Sequence, residues 1–185
     1  MKNSAAQTSR LGGIHLHKDS NNNKINNNNT NLNEYAGIKI SQSKNNDINN
    51  NSSNNNQDGI TLWNSPNNTI TWNTTNNNTT AGINVANSPD NSIKDNTSST
   101  NYSGIQIASK NTILSRNTTN NNHGYGIQSL LPSTQISSNN ESCFNGRYDV
   151  FGPASGNNNT CDTTLSYNDN GAIDCHKLCD YMLNN

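Results

Sequence analysis

A short apolar motif recurs along the chain at a nearly constant interval. It reads Gly-Ile-x-Leu or a close variant, and its glycines follow one another every 22 to 24 residues, at Gly13, Gly37, Gly59, Gly82, Gly104 and Gly126. Within each copy apolar and polar residues alternate, which is the pattern of a β-strand that buries one face. Six copies at one period predict a repeat architecture in which each repeat adds one coil.

A second apolar position recurs later in each repeat, between polar neighbours. It is occupied by Ile25, Ile48, Ile70, Ile93, Leu114 and Ile136. Three positions after each of these residues lies an asparagine, which gives the row Asn28, Asn51, Asn73, Asn96, Asn117 and Asn139. Serine lies five positions before the first five of them, and Asn or Thr lies two positions before all six. Rows that keep one register predict that like residues stack from coil to coil.

These rows predict an all-β fold. It is a parallel β-solenoid whose short strands pair with the same strands of the next coil, about 4.8 Å away. The Ile and Leu of each Gly-Ile-x-Leu motif point inward, whereas the residue between them points outward. Stacked asparagine amides form a structural ladder that satisfies the polar groups buried beside a thin core. The glycine row is predicted to form a tight corner that needs a positive φ.

Composition qualifies this prediction without overturning it. The chain has 185 residues, of which 28% are hydrophobic, 12% are charged and about a quarter are asparagine. So few apolar residues favour a disordered chain, but disorder gives no reason for six repeats to keep register. The net charge of -1 argues against a nucleic-acid partner. No apolar run is long enough for a membrane span.

The repeat resembles the right-handed parallel β-helix repeat proteins of the pectin lyase-like fold. The residues that carry the resemblance are Gly-Ile-x-Leu, a small polar residue, Asn-x-Ile-x-x-Asn and an asparagine-rich return. They are similar to the NosD-like branch, also called carbohydrate-binding and sugar-hydrolysis repeats. The tail from 159 to 179 is similar to the C-terminal ends of archaeal cell-surface β-helix proteins.

The resemblance implies a single right-handed helix of six to seven coils. We expect an irregular segment over 1–10, repeats over 11–151 and a cysteine-containing cap over 152–185. A seventh coil is expected to place Tyr148 and Val150 in the inward rows. No apolar segment typical of an export signal precedes the first coil, so the chain is a candidate fragment of a longer surface protein.

Four cysteines lie in the last quarter of the chain: Cys143, Cys161, Cys175 and Cys179. An even number confined to one end favours two disulfides that close a cap in an exported protein, with three connectivities open. Zinc ligation with His176 is one alternative, although the spacing matches no recognised zinc pattern, and free thiols are another. Together with the family resemblance, the disulfide interpretation predicts an extracellular or cell-surface location.

Catalysis on this fold needs grouped carboxylates, and glycoside hydrolysis needs two of them within about 5 to 9.5 Å. The candidate acids Asp58, Asp90 and Asp95 fall in different rows, and no row holds two acids in adjacent coils. The sequence therefore favours solvated surface acids, with a polysaccharide hydrolase or lyase as the alternative.

Two features are weak candidates for metal binding. His15 and His17 share one face of a strand, as the ligands of a NosD-type copper-handling accessory protein would, although exposed strand histidines explain them better. The segment 167–174 loosely resembles a calcium loop, but turn chemistry alone accounts for it. No cofactor is predicted, with calcium as the alternative.

Aromatic residues are the features that point most directly to a ligand. Trp63 and Trp72 fall in one repeat, and Tyr35 and Tyr102 share a row, with Tyr125 nearby. Aromatic faces on a long β-wall stack on sugar rings, and packing against an irregular corner is the alternative. The sequence therefore predicts a non-catalytic surface or secreted solenoid that contacts a polysaccharide or a cell-envelope protein.

Overall fold

The computed structural model describes residues 12–170, 175 and 177–180, and within them it contains sixteen β-strands and no helix. Eight strands form one parallel sheet: β1 (Ile14–His17), β3 (Ala36–Ser41), β5 (Asp58–Trp63), β7 (Ala81–Ala86), β9 (Ser103–Ala108), β11 (Tyr125–Ser129), β13 (Tyr148–Phe151) and β15 (Thr164–Leu165). Eight shorter strands form the other: β2 (Lys24–Asn26), β4 (Asp47–Asn49), β6 (Thr69–Thr71), β8 (Ser92–Lys94), β10 (Ile113–Ser115), β12 (Gln135–Ser138), β14 (Ser155–Gly156) and β16 (Asn168–Asp169). Each coil thus adds one strand to each sheet.

A third side of each coil pairs through a single residue. Parallel β-bridges join Asn29, Ser52, Thr74, Thr97, Thr118, Glu141, Thr160 and Lys177. The two sheets and this third side enclose the core. None of the described residues belongs to a helix long and apolar enough to cross a membrane.

The inward rows predicted from the sequence form that core. Along the first sheet stack Ile14, Ile38, Ile60, Ile83, Ile105 and Ile127. Along the second stack Ile25, Ile48, Ile70, Ile93, Leu114 and Ile136. Nearly all of these side chains have no exposed surface. The predicted parallel β-solenoid and the inward direction of both apolar rows are confirmed.

An asparagine ladder lines the corner that follows the second sheet. Asn28 donates from its backbone N and from Nδ2 to Oδ1 of Asn51, both at 2.9 Å, and Asn51 repeats the pattern onto Asn73. Nδ2 of Asn73 also donates to the carbonyl of Ile48 at 2.9 Å. These asparagines are at most 3% exposed. Each buried polar group left unpaired would destabilise the fold by about 1–3 kcal/mol, so the ladder is a large part of its stability.

Further polar rows follow the same principle. The predicted row through Asn23, Asn46, Asn68 and Asn91 forms a second ladder. In the predicted serine row, the hydroxyl of each serine after the first accepts a hydrogen bond from the backbone N of the serine one coil earlier. A third asparagine row is a new finding: Asn33, Asn56, Asn78, Asn101, Asn122 and Asn145. Its members lie five residues after those of the first ladder, so the row has a fixed offset in the sequence, but it stands among many other asparagines and was not singled out there.

The last member of the predicted ladder is wrong by one residue. Asn117 donates to Oδ1 of Asn140 at 3.0 Å, not to Asn139. A β-bulge in β12 adds one residue, because Leu114 pairs with Ile136 whereas Ser115 pairs with Ser138. Asn139 is instead exposed, with a φ of 54°.

Each corner is turned by a residue in the left-handed backbone conformation. The residue before every ladder asparagine has a positive φ, for example 57° at Asn45 and 57° at Asn55. Asparagine tolerates this conformation better than most other side chains. In an asparagine doublet the first residue therefore turns the chain and the second enters the ladder, which explains the unusual composition.

The reason predicted for the glycine row is wrong. Among the described glycines only Gly12 and Gly152 have a positive φ, and neither belongs to the row. A Cβ atom at Gly37 would instead lie 1.9 Å from Oγ of Ser53. Glycine is needed because the neighbouring inner hydroxyl leaves no room for a side chain.

Two disulfides close the C-terminal end. Cys143 pairs with Cys179, and Cys161 pairs with Cys175. The disulfide interpretation is therefore confirmed, and one of its three connectivities is selected.

Two ladders end on a buried aspartate. Asp149, 2% exposed, accepts hydrogen bonds from N and Nδ2 of Asn145 and from two backbone N–H groups of the next coil. Asp169 accepts from N and Nδ2 of Asn159. A carboxylate only accepts, so it ends a column of donors without leaving an amide hydrogen unpaired.

The coils continue past the boundary predicted at residue 151. Strands β14, β15 and β16 extend both sheets into the segment predicted as the cap, and residues 1–10 lie outside the described ranges. The predicted register of the seventh coil is wrong. Tyr148 pairs with Tyr125, and Val150 pairs with Ile127, so Val150 enters the isoleucine row.

Adjacent asparagines allow a matched test of the two roles. Asn56→Gly removes a buried amide whose Oδ1 accepts two hydrogen bonds from Asn33, and we expect the free energy of unfolding to fall by about 2–3 kcal/mol. Asn55→Gly, at an exposed corner with a φ of 57°, should change it by less than about 1 kcal/mol because glycine adopts this conformation freely. Urea unfolding measures both values, and equal effects would contradict the division of roles.

Candidate functional site

The outward side of the first sheet presents one regular row of side chains. Its middle positions are His15, Lys39, Thr61, Asn84, Gln106, Gln128 and Phe151. We call this outward face of the odd-numbered strands the front wall. The core and the ladders hold its strands from behind, so groups of successive coils are displayed about 4.8 Å apart. Such a wall suits an elongated ligand.

Trp63 ends β5 at one edge of the front wall and is 47% exposed. In the next two coils its row contains only Ala86 and Ala108. A shallow depression follows, lined by Asn87, Pro89, Ala108, Ser109, Lys110 and Leu131. The small alanines leave the indole accessible from this side, and a mostly apolar surface continues beyond it.

Trp72 lies at a different corner, one residue after β6, and is 62% exposed. Its φ is 57°, a conformation that is strained for a bulky side chain. The row continues with Asp95 and Arg116, which form a two-pronged ion pair at 2.6 and 2.7 Å. The hydrogen bond to Asp95 and its charge raise the pKa of Arg116. The two tryptophans of this repeat therefore belong to separate rows on either side of β6.

The three candidate catalytic acids are engaged separately. Asp58, at the start of β5, accepts hydrogen bonds from three neutral donors at 3.0 to 3.1 Å. Asp90 accepts from Asn111 at 3.1 Å, and Asp95 is paired with Arg116. The structure keeps the three acids in different rows, as the sequence predicts. Each of the three carboxylates is therefore held by its own set of hydrogen-bond donors on the surface.

The two candidate copper ligands lie side by side on β1. The ring centroids of His15 and His17 are 5.3 Å apart, and Nε2 of His15 lies 3.1 Å from Oγ of Ser41. Partial burial, the charge of Lys39 and that of His17 lower the pKa of His15. Within the part of the chain that the structure describes, no third His, Cys, Asp or Glu joins them to form a group.

The predicted calcium loop, 167–174, lies within the described residues only up to Asn170. Asp169, in its described part, is buried and accepts hydrogen bonds from Asn159 and Tyr167. Burial and the hydrogen bond to Asp169 raise the pKa of Tyr167, so the phenol stays protonated and donates. The oxygens of Asp169 are thus the last acceptors of the asparagine ladder.

An aromatic cluster that was not predicted from the sequence extends from the opposite edge of the front wall to its middle row. Its ring centroids are 6.3 Å apart for Tyr102 and Tyr125, 5.0 Å for Tyr125 and Phe151, and 5.9 Å for Tyr148 and Phe151. Arg147 lies over the ring of Tyr125 at 5.9 Å. We call these five residues the tyrosine–arginine cluster. The error in the seventh coil hid it, because Tyr148 was assigned to the core row.

Comparison with known proteins places the fold. Residues 1–143 match the family model for the right-handed beta helix region. No match is found among the curated proteins. The periplasmic alginate epimerase AlgG is similar in structure, with a TM-score of 0.71 and 23% identity over 95% of this chain and 42% of the epimerase. The enzymatically active domain of Bacteriophage CBA120 tailspike protein 2 is similar with a TM-score of 0.72 and 14% identity, over 89% of this chain and 31% of the tailspike chain.

This chain spans less than half of either structure, and such low identities show a shared fold alone. The family model, by contrast, covers well over half of the sequence. The strand order, the parallel register and the stacked inner rows agree with it. The chain therefore belongs to the right-handed β-helix family.

Proposed function

We propose that the chain is an exported, non-catalytic β-helix that contacts carbohydrate through Trp63 and Trp72. The observation that supports the proposal is that Trp63 and Trp72 are 47% and 62% exposed, at the ends of strands that the core and the ladders hold from behind. An exposed indole contributes little to the core, and Trp72 also strains the backbone. Strained, exposed positions of this kind favour contact with a ligand.

Sugar rings suit the groups around Trp63. The C–H faces of a pyranose pack on aromatic rings, and its hydroxyls bond to side-chain amides. Asn84, Gln106 and Gln128 present such amides in consecutive coils of the front wall. The rise of about 4.8 Å per coil is close to the length of one sugar unit in an extended polysaccharide, so successive coils would meet successive sugars.

The similar structures and the disulfides support the class of partner and the location. AlgG is a periplasmic alginate epimerase, and alginate is a polysaccharide. The two disulfides favour an oxidising compartment. We therefore infer an extracellular or cell-surface protein whose partner is a polysaccharide, with a cell-envelope protein as the other partner class.

A polysaccharide hydrolase or lyase is the alternative function. Asp58 and Trp63 lie at the two ends of the same strand, β5, so a sugar on this wall would meet both a carboxylate and an indole. Hydrolysis would need a second carboxyl group within about 9.5 Å, and neither Asp90 nor Asp95 shares the row of Asp58. This contrast supports binding over hydrolysis.

Retention on polysaccharides tests the proposal. The purified chain is applied to a panel of immobilised surface and plant-type polysaccharides, and the release of new reducing or unsaturated ends is recorded at the same time. We expect retention without product. Trp63→Ala and Trp72→Ala should each weaken retention by about tenfold because a stacked aromatic face is lost. Ile113→Ala, which shortens an exposed side chain on the second sheet, is the matched control and should have no effect.

Two outcomes would contradict the proposal. Product release that disappears in Asp58→Asn or Asp90→Asn would make the chain an enzyme. Retention that is unchanged in both tryptophan variants would show that neither indole contacts the polysaccharide.

Trp72 should also show opposite effects on stability and on binding. Trp72→Asn replaces a strained left-handed residue with one that tolerates the conformation, so we expect the free energy of unfolding to rise by about 1 kcal/mol. The same change should reduce retention. Trp63→Asn, at a position without positive φ, should reduce retention with no gain in stability. Chemical denaturation measures the free energy of unfolding of both variants. A Trp72→Asn protein that is less stable than the wild type would show that the backbone at Trp72 is not strained.

A further inference from the structure

The tyrosine–arginine cluster is held in place before any ligand arrives. Gly124 packs against Tyr102, because a Cβ atom there would lie 3.1 Å from Cζ of the ring. The backbone N of Gly124 donates to the carbonyl of Tyr102 at 2.8 Å. The ring of Tyr102 then meets that of Tyr125 at an interplanar angle of 82°. Fixed rings lose little entropy on binding.

The rings of the cluster remain accessible. Tyr102 is 42% exposed, and the other three aromatic residues are half-buried. A depression beside Tyr102 has a polar rim, formed with it by Asn77, Asn78, Thr79, Thr100 and His123. Aromatic faces bordered by amides and hydroxyls form a surface that matches a sugar, with its apolar faces and polar edge.

Arg147 gives this surface a positive charge that no carboxylate of the described residues pairs with. Its guanidinium donates to the hydroxyl of Tyr125 at 3.3 Å, and this hydrogen bond raises the pKa of Arg147. Over the described residues it forms no ion pair, whereas Arg116 is neutralised by Asp95. Asp149, close to Arg147 in sequence, is buried and bound to the ladder. The side chain of Arg147 is exposed.

We propose that the tyrosine–arginine cluster binds an acidic oligosaccharide, with sugar rings on Tyr102 and Tyr148 and a sugar carboxylate on Arg147. A guanidinium matches a carboxylate through two parallel hydrogen bonds. The class of ligand rests on the proposed function, but the site does not. Tyr125 and Tyr148 begin their strands, whereas Trp63 ends its own, so the two surfaces lie toward opposite edges of the front wall.

The test compares an acidic ligand with a neutral one of the same shape. Oligogalacturonate and its methyl ester are titrated into the purified chain by calorimetry at low ionic strength, where an exposed charge is least screened. We expect the acid to bind about tenfold more tightly than the ester. Arg147→Gln should abolish this preference, and Tyr148→Ala should weaken the binding of both ligands. Lys44→Gln, which removes an exposed cation from a distant coil, should alter neither.

Three results would overturn the inference: equal affinity for acid and ester, a preference that survives Arg147→Gln, or no binding of either ligand. The proposed function fails in a different experiment. Retention on neutral polysaccharides is expected to depend on Trp63 and Trp72 and to be unchanged in Arg147→Gln.

Discussion

The hydrogen bond that repeats from one inner asparagine to the next is the interaction on which the coils depend. A strand wall in this chain buries only one or two apolar side chains per coil, so the core alone is thin. At the corners the backbone leaves the sheets, and its polar groups need other partners. The amide of Asn73 meets this need in both directions, because it accepts from Asn51 and donates to Asn96 and to a main-chain carbonyl. The ladder therefore makes a polar composition compatible with a folded chain.

The same constraint separates inner from outer positions. An inward residue must match its neighbours in shape and hydrogen bonding, and buried aspartates end the columns where no further asparagine follows. A corner residue needs only to tolerate a positive φ, so the row that contains Trp72 also accepts asparagine, aspartate and arginine. Side chains on the outer rows, including those proposed to contact ligands, can therefore vary without disturbing the frame. Trp63, Trp72 and the tyrosine–arginine cluster all occupy such positions.

The fold was predictable because inner rows impose one residue type at a fixed interval, and the isoleucine rows and most of the first ladder follow from the sequence alone. Prediction failed where the interval changes. The bulge before Asn139 shifts the ladder to Asn140. The row that begins at Asn33 keeps its interval, but it did not stand out among the surrounding asparagines. The surface was harder to predict because it depends on register and backbone conformation. Trp63 and Trp72 can be chosen from the sequence as candidate ligand contacts. The positive φ of Trp72 and the contact of Tyr148 with Phe151 are seen only in the structure.

A double-mutant cycle on two consecutive ladder residues tests the central claim most directly. Asn73 donates two hydrogen bonds to Oδ1 of Asn96, so Asn73→Ala, Asn96→Ala and the double variant are compared by urea unfolding. If the ladder holds the coils, the double variant will be less destabilised than the sum of the single variants by about 1 kcal/mol or more. Additive effects, within about 0.3 kcal/mol, would mean that the asparagines contribute independently and that no ladder stabilises the solenoid.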